Sequence, residues 1–160
     1  MIILHCLIVL LVSMLPVIEL RGAIPIGVGL GVPEPLALII AAIGNMIPVP
    51  FIYKFARKLL ELGQESSVRP IKKFCKLLMK KGDRAGRKLM KKGGDGVYVA
   101  LFFFVGIPIP GTGAWTGTLA ASLLDLDYKK TVKSIICGVL LSGCIMLAIS
   151  LGIFNIIFGN

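Results

Sequence analysis

Residues 19–27 read Glu-Leu-Arg-Gly-Ala-Ile-Pro-Ile-Gly, and residues 108–117 read Pro-Ile-Pro-Gly-Thr-Gly-Ala-Trp-Thr-Gly. Both interrupt apolar runs long enough to enter a bilayer. Sliding the chain by 91 positions lays Arg21-Gly22-Ala23 on Thr112-Gly113-Ala114. A helix does not run smoothly through this density of Pro and Gly. Broken backbone at membrane depth is tolerated only where protein buries it or where it lines a wet cavity. Matching broken segments in two halves of a membrane protein point to a transport site.

The chain has 160 residues and is 56% hydrophobic, against about 45–50% for a soluble domain. The excess lies in blocks, as in an integral membrane protein. The positive charge is also concentrated: 14 of the 18 Lys and Arg residues fall between Lys54 and Lys92. No nucleic-acid motif accompanies them, so their expected partner is the anionic leaflet of a membrane and not nucleic acid. The four cysteines form no Cys-x-x-Cys pair and the single His stands alone, so neither a metal nor another cofactor is expected. No nucleophile–base set, carboxylate pair or phosphate-binding loop is present, which argues against an enzyme. Residues 2–18 lack a basic n-region and a small-residue cleavage site, and read as part of the mature protein.

The expected fold is all-α and membrane-integral, a single domain over 1–160. Residues 2–35 form a first broken hairpin and 36–56 a transmembrane helix whose later half bends at Pro48-Val-Pro50. Residues 57–95 form a basic amphipathic segment, 97–124 a second broken hairpin, and 131–158 a second transmembrane helix. Ser134–Phe158 is the clearest span, 25 residues without a charge. The positive-inside rule places the basic segment and Lys129, Lys130 and Lys133 on the cytoplasmic side of the inner membrane. The second hairpin then starts and ends inside, and the two hairpins enter from opposite faces as inverted repeats. Run 2–18 reads either as half a hairpin or as a full span. In the basic segment Ile71, Phe74, Cys75, Leu78, Gly82, Ala85 and Leu89 follow helical steps. Lys72, Lys73, Lys76, Lys80 and Lys81 lie around the other side, which suits a helix in the membrane interface, with a soluble helical hairpin or an oligomer contact as the alternative.

Glu19 and Arg21 are the charged residues set most deeply in membrane-grade sequence, and each needs a partner or a cavity. One reading has Arg21 hold an anionic group while Glu19 carries a proton; the other has both snorkel at the outer interface. In the second motif, Pro108, Pro110, Gly111 and Gly113 unwind a helix. The following half-helix start is then an anion site, to which Thr112 and Thr116 add hydroxyls. Trp115 offers an apolar wall with one donor. Gly22 belongs to the same candidate binding set, and Asn45 would place an amide near the cavity or satisfy a neighbouring backbone break. Asp125 and Asp127 read as connector and cap residues.

The Glu19-Leu-Arg-Gly-Ala-Ile-Pro run, the 108–117 run and the basic segment between them resemble the small multidrug export protein family, over nearly the whole chain. That family is distantly similar to the DedA/VTT membrane proteins. The resemblance implies two opposed re-entrant hairpins and movement of lipids, including polyprenyl phosphates. The DedA pattern has an acidic residue in the first hairpin, which Glu19 matches, and arginines in the second. Here the second hairpin carries Thr112 instead, and Arg21 sits in the first. The leading expectation is a transporter or flippase of a lipid phosphate or other amphiphile, coupled to protons through Glu19. Proton-coupled efflux of cationic amphiphiles and a non-transporting scaffold are the alternatives. Four or so membrane elements enclose little space alone, so a homodimer is expected.

Overall fold

The computed structural model describes the chain except residues 17, 66–67, 74, 78–79, 81–93 and 159–160, with side chains described as far as Gly152. Its named helices are α1 (Ile2–Met14), α2 (Glu19–Gly29), α3 (Glu34–Met46), α4 (Pro48–Glu65), α5 (Gly96–Gly106), α6 (Ala114–Leu123) and α7 (Tyr128–Phe158). The described residues contain no strand. Helices α3 and α4 follow one another over 32 residues with a bend between them, and Tyr128–Gly152 of α7 spans 25; both are long and apolar enough to cross a membrane. The other helices are shorter. At 1.5 Å per residue, the 13 residues of α1 rise about 20 Å and the 10 of α6 about 15 Å, short of about 30 Å of hydrocarbon.

The order helix, break, helix, turn, long helix occurs twice. The two turns share one hydrogen-bond pattern. Val32 donates to the Gly27 carbonyl and Gly31 to that of Val28; Leu126 donates to Ala121 and Asp125 to Ser122. This is the Schellman ending, which needs a left-handed residue after the helix. Gly31 supplies it at φ +78° and Asp125 at φ +55°. Val32 and Leu126, the next residues, are both buried. Each half also has one close approach of backbones. A Cβ on Gly44 would lie 2.6 Å from the Leu10 carbonyl oxygen, and one on Gly138 would lie 2.9 Å from that of Phe102. Both glycines are the eleventh residue of their long helix. Gly44→Ala and Gly138→Ala are each expected to destabilise the fold by about 1–3 kcal/mol, because a backbone carbonyl stands in the way in addition to the Ser13 hydroxyl or the Val105 Cβ. Thermal unfolding in detergent measures this, and Gly152→Ala, where no atom lies within 4 Å, is the control.

The halves interlock. Helix α2 packs on α3 and also on α7, while α6 packs on α4. The core between them holds Leu20, Ala23 and Ile24 of α2, Ala37 and Ala41 of α3, and Ile135 and Val139 of α7.

Four expectations change in detail. Residues 19–27 are helical, and the first break lies earlier, with Leu15, Pro16 and Ile18 outside the helices. Pro25 removes only the bond to the Arg21 carbonyl, a loss that a helix packed on α1, α3 and α7 withstands. The residues superposed by a shift of 91 are therefore not equivalents, since Arg21 is in a helix and Thr112 in a loop. The first long helix does not end at 56 but continues to Glu65, through good helix formers and an Arg57–Glu61 pair at 3.5 Å. The second long helix starts at Tyr128 and not 131, because the Asp127 carboxylate caps the Lys130 amide at 2.9 Å. The bend at Pro48 and the break at 107–113 lie where the sequence places them.

The amphipathic pattern of 71–89 falls partly outside the described residues, which lack Phe74, Leu78, Lys81, Gly82, Ala85 and Leu89. Cys75 is buried against Gly63 of α4, while Lys72, Lys73, Lys76 and Lys80 are exposed.

Candidate functional site

The second break, 107–113, leaves two sets of unsatisfied backbone groups. Carbonyls are freed at the end of α5, and amides at the start of α6. Gly111 at φ +86° and Gly113 at φ +142° hold a path that other residues rarely follow. The first half supplies one charged side chain to each end.

Arg21 takes the carbonyls. Its Nη1 donates to the Ile109 oxygen at 2.5 Å and the Thr112 oxygen at 2.7 Å. Its Nη2 donates to the Ile107 oxygen at 3.2 Å, the Val105 oxygen at 3.4 Å and the Thr112 hydroxyl at 2.9 Å. The Thr112 hydroxyl in turn donates within the loop, 2.8 Å from the Ile109 oxygen. A cation thus sits at the negative end of α5.

Glu19 takes the amides. Its Oε1 accepts the Trp115 N–H at 3.1 Å, and the side chain lies against Gly113, where a Cβ would come within 2.7 Å of the carboxyl carbon. An anion thus sits at the positive end of α6, the location at which the sequence anticipates a bound anion. Glu19 is only 4% exposed, so it does not snorkel to an interface. It opens α2 at φ +51°, a backbone uncommon outside glycine. The exchange also runs the other way: the Trp115 indole Nε1 donates to the carbonyl of Met14, the last residue of α1, at 3.2 Å. Each half therefore satisfies the backbone broken in the other.

Beside this junction lies a cavity of about 310 Å³, lined by Pro16, Glu19, Ile52, Gly111, Thr112, Trp115, Thr116 and Leu119. Five expected site residues, Glu19, Gly111, Thr112, Trp115 and Thr116, meet on its wall. Arg21 and Gly113 lie at the adjoining junction. Pro108 and Pro110 belong to the break but not to the cavity wall, and Gly22 faces Ile18 instead. Asn45 does not line the cavity; its amide is fully buried in α3 and neither of its polar atoms has a partner among the described residues. Pro16, Ile52 and Leu119 are the walls that the sequence reading missed. Leu119 was within reach, since it lies three and four residues after Thr116 and Trp115, on the same face of α6.

A second polar cluster joins α4 to the turn before α7. Tyr53 donates to the Leu126 carbonyl, Ser122 donates to the Tyr53 carbonyl at 2.7 Å, and Arg57 pairs with Asp125. Tyr128 stacks edge-on to Tyr53 at 5.1 Å, and the Tyr98 hydroxyl accepts the Asp127 amide at 3.0 Å. All three tyrosines of the chain thus collect at one end of the molecule. Asp125 and Asp127 serve as connector and cap.

Residues 19–145, which include both motifs and the junction between them, match the family model described as "Putative small multi-drug export protein". The chain belongs to this family. No curated protein and no solved structure matches it. The family places the chain among export proteins, and two of the described helices are of membrane length. None of these comparisons shows a similarity to the DedA/VTT proteins. Among the described residues no group of three His, Cys, Asp or Glu side chains is placed to hold a metal.

Proposed function

We propose that the protein exports cationic amphiphiles, with the Glu19 cavity as the binding site and Glu19 taking substrate or proton in turn. The observation that carries this reading is the division of charge at the junction. Arg21 is directed to backbone oxygens, and Glu19 is the one formally charged residue on the cavity wall. The remaining wall is apolar or hydroxyl-bearing, and the Trp115 ring adds a face that attracts organic cations. A lipid phosphate, the ligand that a free Arg21 would suit, would have to displace several carbonyl bonds here.

The same reading makes the helix–break–helix units re-entrant hairpins of an inverted repeat. Their short helices support this, as does the Arg57–Asp125 pair. That pair brings the outgoing part of the first long helix to the beginning of the second, so the two run in opposite directions. The shared end carries Lys54, Arg57, Lys58, Lys129, Lys130 and Lys133 with the three tyrosines, which suits a cytoplasmic interface. The basic segment would then meet the anionic leaflet, and a homodimer would complete the pathway.

Reconstituted vesicles test the substrate class. Under an imposed pH gradient, a cationic dye such as ethidium is expected to cross faster than in empty vesicles, and a fluorescent polyprenyl phosphate is not. Movement of the polyprenyl phosphate alone would replace this reading with lipid transport. Movement of neither would leave a scaffold.

A further inference from the structure

Away from the Glu19 cavity, an open groove of about 480 Å³ runs between α5 and α7. Its walls are two matched stripes: Asp95, Tyr98, Val99 and Phe102 on one side, Lys130, Lys133, Ser134 and Cys137 on the other. Both follow the 3, 4, 7 spacing of a single helix face, so they face each other along about 10 Å of helix axis. Polarity changes along that length. The charged residues and the Tyr98 hydroxyl lie at the tyrosine-rich end, whereas Val99, Phe102 and Cys137 lie one to two turns further in.

The charges at the mouth are not equivalent. Lys130 is fixed by Asp95, Nζ to Oδ1 at 2.6 Å, and lies 5.5 Å from the centre of the Tyr98 ring. That pair is close to neutral as a whole. Lys133 is exposed and has no ion pair among the described residues, so it leaves the mouth with a net positive charge. The Tyr98 hydroxyl already accepts the Asp127 N–H, which leaves its own proton available to a ligand oxygen.

We infer that this groove holds an anionic phospholipid, with the headgroup phosphate at Lys133 and Tyr98 and an acyl chain along Val99, Phe102 and Cys137. Charge complementarity selects the headgroup, and the inward change to apolar walls selects a lipid over a free phosphate. Asp95 holds the Lys130 ammonium beside the headgroup. The inference rests on the reading that α7 crosses a membrane with this end at its surface, and is independent of what the Glu19 cavity carries.

Native mass spectrometry of the full-length protein in detergent, titrated with phosphatidylglycerol and phosphatidylcholine of identical chains, tests the site. The first lipid retained is expected to be phosphatidylglycerol. Lys133→Ser should weaken that retention about fivefold, the effect of one basic residue at a membrane surface. Lys58→Ser, on α4, should lower only the later, weaker lipid uptake expected of the basic segment and leave retention of the first lipid unchanged, and Phe102→Ala should weaken both lipids alike. Equal retention of the two lipids, or an equal loss in the Lys58 variant, would overturn the groove while leaving the membrane reading intact. A protein that stays in solution without detergent would overturn both.

Discussion

Arg21→Ala is expected to lower stability by about 4 kcal/mol, with loss of most folded protein from the membrane fraction. Arg21 supplies the charged donors to the carbonyls of Ile107, Ile109 and Thr112 in the break after α5, where Thr112 and the loop amides give only neutral bonds to the first two. Charged hydrogen bonds of this kind contribute about 1.5–3 kcal/mol each where a partner would otherwise be left bare. Arg21→Lys should recover only part of the loss, because an ammonium is a point charge and cannot reach oxygens on two sides as a planar fork does. Thermal unfolding in detergent measures this, and a fall of roughly 10 °C is the expected size for alanine. An Arg21→Ala protein that folds normally but no longer moves substrate would reverse the assignment, making Arg21 a ligand-binding residue.

Glu19→Gln should do the opposite, leaving the fold largely intact and reducing transport at least tenfold. A glutamine oxygen can still accept the Trp115 N–H, so the start of α6 keeps its cap. What disappears is the negative charge on the cavity wall and its ability to exchange a proton. Dye uptake into vesicles under a pH gradient reads the second effect, and unfolding temperature reads the first. Glu19→Ala should lose both, since the cap goes as well. If Glu19→Gln transports at the normal rate, Glu19 is a structural cap and the cation must be held elsewhere. The two experiments separate the roles of neighbouring residues: Arg21 as the closure of the broken backbone and Glu19 as the proposed substrate-facing group.

Much of the architecture was legible in the chain itself. The charge-free run from Ser134 specifies a membrane-length helix because hydrocarbon accepts no unpaired charge. Pro108 to Gly113 specifies a break because two prolines lack donors and two glycines permit positive φ. The same composition rule failed at residues 19–27. One proline and scattered glycines there remain helical once α2 packs between its neighbours, and the break shifts to Leu15, Pro16 and Ile18.

The site divides in the same way. The sequence by itself determined that Glu19 and Arg21 needed partners, and that the 108–117 run would expose backbone groups. It also determined which residue types would border them, so Thr112, Trp115 and Thr116 were already candidates. Only the tertiary structure decided who partners whom. Arg21 and Thr112 lie 91 residues apart and look like repeats of one another, yet they are donor and acceptor in a single junction. The physical reason is that a broken helix must satisfy its freed carbonyls and amides from outside its own segment. Local sequence records that need, but which distant side chain meets it depends on how the two halves interlock.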